Sequence, residues 1–110
     1  MPTDRIHVIA TLSALPGKRA PLCALLQGLL GPTRSEPGCL RYELVQPEGA
    51  PDTFVFIEEW ESAGALEAHF RAAHFQEALA ALDGKVTGPP DLRRYRSVSS
   101  SGDGSRASSR

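Results

Sequence analysis

Apolar and polar side chains follow two different periods in the first part of the chain. Along residues 6–13 the period is two, which predicts a β-strand, and one face of it carries Ile6, Val8, Ala10 and Leu12. From residue 22 apolar side chains recur at i, i+3, i+4, i+7 and i+8, which predicts an amphipathic helix with a stripe of Leu22, Leu25, Leu26, Leu29 and Leu30. Pro16 and Gly17 separate the two segments, and Pro16 is expected in the first turn of the helix.

Two further strands are predicted in the middle of the chain. Cys39–Gln46 has one apolar face, which consists of Leu40, Tyr42 and Leu44. A loop rich in proline and glycine follows at 47–52, which is the composition of a tight connection between strands. The third strand is then Phe54–Trp60.

The last part of the chain predicts one more helical region and a final strand. Ser62 is a suitable residue to cap the start of the helix. The apolar stripe begins with Leu66, His69, Phe70 and Ala73. Its phase then shifts, which predicts a break near Ala72–His74. A Gly-Pro-Pro sequence at 88–90 ends this region, and Leu92–Val98 is the last strand.

The order of these elements, β-α-β-β-α-β, predicts an α+β fold of the ferredoxin-like type. Both helical regions would then cover one face of a four-stranded antiparallel sheet. The third strand is apolar on both faces, because Phe54, Phe56 and Trp60 alternate with Val55 and Ile57. Since the helices can cover only one face, a second subunit is expected on the other, which predicts a homodimer.

The composition of the chain limits the classes of partner and location that are expected. A chain of 110 residues with a net charge of −1 is expected to form one domain, with neither nucleic acid nor a membrane as partner. No apolar run approaches the length of a membrane span, and a cytoplasmic location with reduced Cys23 and Cys39 is expected. Residues 99–110 are rich in serine and glycine, so we predict a disordered tail after a domain of residues 1–98.

Several strings of the sequence together resemble one protein family. They are HVIATL at 7–12 with PGK at 16–18, EPGCLRYEL at 36–44, FVFIEEWES at 54–62, and AHF at 68–70 with HF at 74–75. Their order and spacing across about residues 5–96 resemble the antibiotic biosynthesis monooxygenase family, and most closely its quinol monooxygenases. The resemblance implies a dimeric α+β barrel without a cofactor, which acts on a small aromatic substrate and dioxygen.

Three side chains are candidates for chemistry, and each also has a structural interpretation. His69 is the natural general base because its pKa lies near neutrality, or else it is a core histidine. Trp60 can form a flat wall for an aromatic ring, or else it anchors the core. Tyr42 can orient a hydroxyl group of a substrate, or else its own hydroxyl is buried in a structural hydrogen bond. The rest of the predicted pocket is Phe56, Leu66 and Phe70.

Other chemistries have less support in the sequence. On a continuous helix His69 and His74 would project about 140° apart, so no metal site is predicted. Haem-degrading relatives have a tryptophan where this chain has His69 and a haem-ligating histidine where it has Leu79, which cannot bind iron. The branch that oxidises polyketides has polar residues at the positions of Phe56 and Leu66. A non-catalytic dimer that binds a small ligand, or that is associated with stress, remains an alternative to the oxygenase, as does an isomerase of a phosphorylated sugar.

Overall fold

Eight elements of regular structure lie within residues 4–99, which are the residues that this computed structural model describes. In chain order they are β1 (Ile6–Ser13), α1 (Arg19–Gln27), α2 (Leu30–Arg34), β2 (Cys39–Val45), β3 (Thr53–Trp60), α3 (Ala63–Arg71), α4 (Ala73–Ala81) and β4 (Asp91–Tyr95). Each predicted helical region is therefore a pair of short helices. The predicted tail lies outside the described residues except for Ser99.

The four strands form one antiparallel sheet in the order β2-β3-β1-β4. Ala10 on β1 lies opposite Phe56 on β3 and Leu92 on β4, so these three side chains share one face. The buried core combines this face with Leu22 and Leu26 of α1 and other helical side chains. The prediction of an α+β ferredoxin-like fold is thus confirmed.

The first helix begins three residues later than predicted. Pro16 and Gly17 lie in a turn that is closed by a hydrogen bond of 2.9 Å from the Lys18 N–H to the Leu15 carbonyl. Gly17 has a φ of +79°, which glycine adopts without steric cost. The chain therefore completes this turn before α1 starts at Arg19, and the placement of Pro16 in the first helical turn was wrong.

One residue of β2 departs from the predicted alternation. The pairing of β2 with β3 shifts register between Cys39 and Arg41, and such an irregularity interrupts the two-residue period. Leu40 is consequently 47% exposed, whereas Tyr42 is buried beneath the helices. The expectation that Leu40 shares the apolar face of Tyr42 was therefore wrong.

The second helical region breaks where the phase of its apolar stripe changes. Ser62 caps α3 by accepting a hydrogen bond of 3.1 Å from the Ala65 N–H, as predicted. Ala72 has extended backbone angles, with φ −65° and ψ 143°, and separates α3 from α4. This change of direction places the ring of His74 with its centroid 6.2 Å from that of His69.

A glycine allows β2 to start directly beneath α3. Gly38 has a φ of +85°, and a Cβ atom at this position would lie 2.6 Å from the Cβ of Ala65. Its carbonyl accepts a hydrogen bond of 2.9 Å from the Glu61 N–H, which ties this turn to the end of β3. Glu36, two residues earlier, is thereby held under the C-terminal part of α3.

The other face of the sheet carries no helix in the described part of the chain. Val55 and Ile57 on β3 and Ile9 on β1 are half-buried there, and Ile9 lies directly opposite Ile57. The predicted distribution of side chains over the two faces of β3 is thus confirmed. Among residues 4–99, the helices are all too short or too polar to cross a membrane.

Candidate active site

A cavity of about 220 Å³ lies between the helices and the sheet face that they cover. Its walls are mostly apolar and come from the strands, the helices and the segment before β4. Three polar side chains also line it, namely Tyr42, Glu58 and His69. A mostly apolar space with a few convergent polar groups is typical of a site for a small organic molecule.

His69 reaches this cavity from the last turn of α3. Its side chain is only 1% exposed, and its Nδ1 lies 2.8 Å from Oε2 of Glu36. A carboxylate can only accept, so Nδ1 carries the proton and Nε2 keeps a free lone pair. Burial lowers the pKa of His69, and the hydrogen bond to Glu36 offsets this only in part. His69 is therefore a neutral proton acceptor whose ring orientation is fixed.

Glu36 also binds a second histidine. Nε2 of His74 lies 2.5 Å from the same oxygen, Oε2, that His69 contacts. The Glu36 side chain is 12% exposed and that of His74 is 28% exposed, so this cluster extends from the cavity wall towards the surface. No role was predicted for Glu36 or His74 from the sequence, because the geometry of a continuous helix separates the two histidines. The predicted break at Ala72 was the signal that could have found the cluster.

The same three side chains are of the types that bind divalent metals. One donor atom from each of Glu36, His69 and His74 lies within 4.8 Å of the others. A zinc ion would have to lie about 2.0–2.1 Å from a ring nitrogen of each histidine. In the present arrangement the Glu36 oxygen itself lies between the two rings. A metal ion would have to displace both hydrogen bonds, so the geometry fits a hydrogen-bonded network better than a metal site.

Trp60 lies behind His69, one layer away from the cavity. It is fully buried, and its ring centroid is 4.7 Å from that of His69 with an interplanar angle of 32°. Its Nε1–H donates a hydrogen bond of 2.9 Å to Oε1 of Glu58. Trp60 and Leu66 were predicted to line the pocket, and neither does. Both are fully buried because they fill the space between α3 and the sheet.

Tyr42, Phe56 and Phe70 do line the cavity. The Tyr42 ring stacks on Phe56 with a centroid distance of 4.8 Å and lies 5.7 Å from the ring of His69. Burial, and secondarily the charge of Glu58, raise the pKa of Tyr42 far above its ordinary value. Its phenol therefore stays protonated and can donate a hydrogen bond.

Glu58 is a buried carboxyl group for which no role was predicted from the sequence. It lies on the same face of β3 as Phe56 and Trp60, and it is 5% exposed. Burial raises the pKa of Glu58 to about 7, although the hydrogen bond from Trp60 acts in the opposite direction. The sequence did contain a signal, because a carboxylate at an apolar position of an alternating strand is costly to bury unless it is paired, and such costly positions are candidates for function.

The comparison with known proteins agrees with this architecture. The family profile described as Antibiotic biosynthesis monooxygenase matches residues 5–81. The protein sll1783 of Synechocystis, which is uncharacterized, is 31% identical over 93 residues, or 84% of this chain. This chain spans only 63% of that relative's length.

Two further relatives are similar over most of their length. The "Putative monooxygenase YcnE" of Bacillus subtilis is 32% identical over 85 residues, which are 77% of this chain and 90% of that protein. The crystal structure of PA3566 from Pseudomonas aeruginosa has a TM-score of 0.83 and 28% identity, and the match covers 90% of this chain and 99% of that one. Since the family profile covers well over half of the sequence, the chain is a monooxygenase-like protein that belongs to the antibiotic biosynthesis monooxygenase family.

Proposed function

We propose that this protein is a cofactor-independent monooxygenase that oxidises a quinol, or a related electron-rich phenol, with dioxygen. The observation that carries the proposal is the geometry of His69. Glu36 binds Nδ1 at 2.8 Å, which leaves Nε2 as the proton-accepting atom of a side chain that lines the cavity. A general base in an apolar site is what the oxidation of a phenol requires, because the phenolate reduces dioxygen far more readily than the phenol.

In the proposed reaction His69 takes one phenolic proton, and the resulting anion transfers one electron to dioxygen. The radical pair then combines to form a carbon–oxygen bond, and the O–O bond breaks. One oxygen atom stays on the ring and the other leaves as water. A quinol and dioxygen thus give a hydroxyquinone and water, with four electrons passing from the ring to oxygen. The protein contributes binding, deprotonation and the exclusion of bulk water.

The other candidate residues have supporting roles in this proposal. Tyr42 donates a hydrogen bond to a substrate oxygen, while Phe56 and Phe70 pack against the ring. Trp60 acts from behind, since it stacks against His69 and limits how far that ring can turn. The cavity of about 220 Å³ is of a suitable size, because a cavity of roughly 150 Å³ holds benzene. The expected substrate is therefore a small aromatic molecule.

Oxygen consumption provides the direct test. Purified protein treated with a chelator should consume dioxygen with at least one member of a panel of quinols and hydroxynaphthalenes. Mass spectrometry with ¹⁸O₂ should then find one labelled atom in the product. Saturable binding without oxygen uptake by any member of the panel would contradict the enzymatic proposal and favour the non-catalytic ligand-binding protein.

We also propose a homodimer in which the two sheets face each other through the side that carries Ile9, Val55 and Ile57. These side chains are only half-buried in the single chain, and burial of such a face against its own copy is a common basis of two-fold association. Sedimentation at micromolar concentration should give the mass of a dimer. Ile57→Lys should shift the distribution towards monomer, and a wild-type monomer would contradict the proposal.

A further inference from the structure

Building on the proposed function, we propose that Glu58 is a second ligand-binding group of the cavity. In its neutral form it donates a hydrogen bond to an oxygen atom of the ligand. Together with His69 on another wall, it selects aromatic molecules that carry two oxygen substituents over those that carry one.

The position of Glu58 supports a ligand-binding role. Glu58 lines the cavity although it is only 5% exposed. Oε1 accepts the indole N–H of Trp60 at 2.9 Å, which holds this oxygen in place. No hydrogen bond to Oε2 is found among residues 4–99, so this oxygen is available to a ligand. Glu58 also has no ion-pair partner in the same part of the chain, whereas a buried carboxylate is normally paired.

The acidic and neutral groups around Glu58 favour its protonated form. Tyr42 lies directly opposite it on β2 and keeps its own proton because its pKa is raised. Cys39, at the start of β2, has a raised pKa as well, caused first by burial and then by the charges of Glu36 and Glu58. The Glu36 carboxylate adds a further negative charge that raises the pKa of Glu58.

The basic groups on the surrounding elements are each bound elsewhere. They are Arg34, His69, His74 and Arg94. Both histidines contact Glu36, Arg94 pairs with Glu67 at 3.2 Å, and Arg34 donates to the backbone carbonyl of Tyr42 at 2.9 Å. Since none of these groups contacts Glu58, a negative charge on it would have no partner among them, and its ionisation in the apolar cavity is unfavourable.

The charge of the bound ligand also favours the neutral form of Glu58. Once His69 has taken a phenolic proton, the ligand is an anion in a low-dielectric space, where like charges repel strongly. A Glu58 carboxylate would destabilise that anion, whereas a Glu58 carboxylic acid can donate its proton to the second oxygen as a hydrogen bond. A ligand with a single oxygen would leave this buried donor without a partner, which is costly.

Trp60 makes the protonation of Glu58 measurable without any turnover. It is the only tryptophan of the chain, and its N–H contacts the carboxyl group directly. Its fluorescence should therefore change with a midpoint near pH 7 as Glu58 ionises. The transition should disappear in Glu58→Gln and persist in His74→Gln. It should also persist in Glu59→Gln, a matched control on the opposite face of the same strand, where Glu59 pairs with Arg5.

Ligand binding should follow the same ionisation. The affinity of the wild type for 1,4-dimethoxybenzene, whose two oxygens can only accept hydrogen bonds, should fall by about 30-fold between pH 6 and pH 8.5, because the neutral fraction of Glu58 falls by that factor above a pKa of about 7. In Glu58→Gln this pH dependence should be lost, because the amide still donates a hydrogen bond and carries no charge. Phenol should bind the wild type at least tenfold more weakly than hydroquinone.

Three results would overturn the proposal. They are an affinity for 1,4-dimethoxybenzene that does not change with pH, equal affinities for phenol and hydroquinone, and a fluorescence transition that survives in Glu58→Gln. If that variant fails to fold, infrared difference spectra of the wild type at pH 6 test the proposal instead. Hydroquinone should shift the C=O band of a neutral carboxylic acid. Binding without oxygen uptake would refute the proposed reaction and leave the role of Glu58 intact.

Discussion

Replacing His69 with alanine should lower the rate of oxygen uptake with a quinol by roughly 100-fold or more, which is the usual scale for the loss of a general base. The effect should fall mainly on kcat, because the apolar walls that bind the ring remain in place. It should shrink as the pH approaches the pKa of the phenol, since solvent can then ionise the substrate. Initial rates of His69→Ala and wild type at pH 7 and pH 9.5 measure both effects.

Variants of Glu36 and His74 distinguish the effect of the general base from that of the residues that orient it. Glu36→Gln should reduce kcat by less than His69→Ala, because it leaves the base present and removes only the charge that orients Nδ1. His74→Gln should have the smallest effect, since His74 contacts Glu36 rather than the cavity. Circular dichroism checks that each variant is folded. Wild-type turnover in a folded His69→Ala at pH 7 would mean that His69 is a structural histidine.

The sheet and its two faces were predictable because the period of a strand is recorded in consecutive side chains. The alternation of Phe54, Phe56 and Trp60 with Val55 and Ile57 gave the correct faces for β3, and the glycine and proline breaks gave the connections. The errors occurred where one residue changes the backbone locally. The bulge at Leu40 arises in the pairing of β2 with β3, and the turn at Gly17 depends on the left-handed backbone of a single glycine. A periodic pattern contains neither of these features.

The candidate site was predictable only in part, for a related reason. His69 and Tyr42 are on apolar stripes, so their positions near the covered face followed from local pattern. Glu36 lies in a turn, and its contact with His69 spans 33 residues. The alternation along β3 also places Trp60 on the correct face of the sheet, but it does not predict that Trp60 lies behind the cavity wall. The depth of a side chain within a core depends on how neighbouring side chains fill the volume.

Glu58 illustrates the opposite case, in which the local pattern did contain the information. Its alternation with Ile57 and Glu59 places it on the covered face, between two aromatic residues of the same strand. Natural sequences tend to depart from the expected pattern at functional positions. A single carboxyl group on an apolar face therefore indicates a site more strongly than an additional aromatic residue does.

The buried position of Glu58 should also appear in the stability of the protein. Its pKa is about 7 in the folded chain and 4.5 when unperturbed. Between these values the folded state holds a proton that the unfolded state has released, so stability falls as the pH rises through this window. The shift corresponds to roughly 3 kcal/mol when the group is fully ionised. Glu58→Gln, in which this side chain cannot ionise, should not lose this stability.

Urea unfolding of the wild type and of Glu58→Gln at pH 4.5 and pH 8 measures this difference. Relative to wild type, the free energy of unfolding of the variant should be higher at pH 8 than at pH 4.5 by roughly 3 kcal/mol. The lowered pKa of His69 destabilises both proteins in acid, so its contribution cancels in the comparison. Glu59→Gln, on the other face of β3, is the matched control for the loss of a carboxylate from the same strand. An equal difference at the two pH values would mean that folding does not raise the pKa of Glu58. The group would then be ionised at neutral pH and could not be the neutral donor in the cavity.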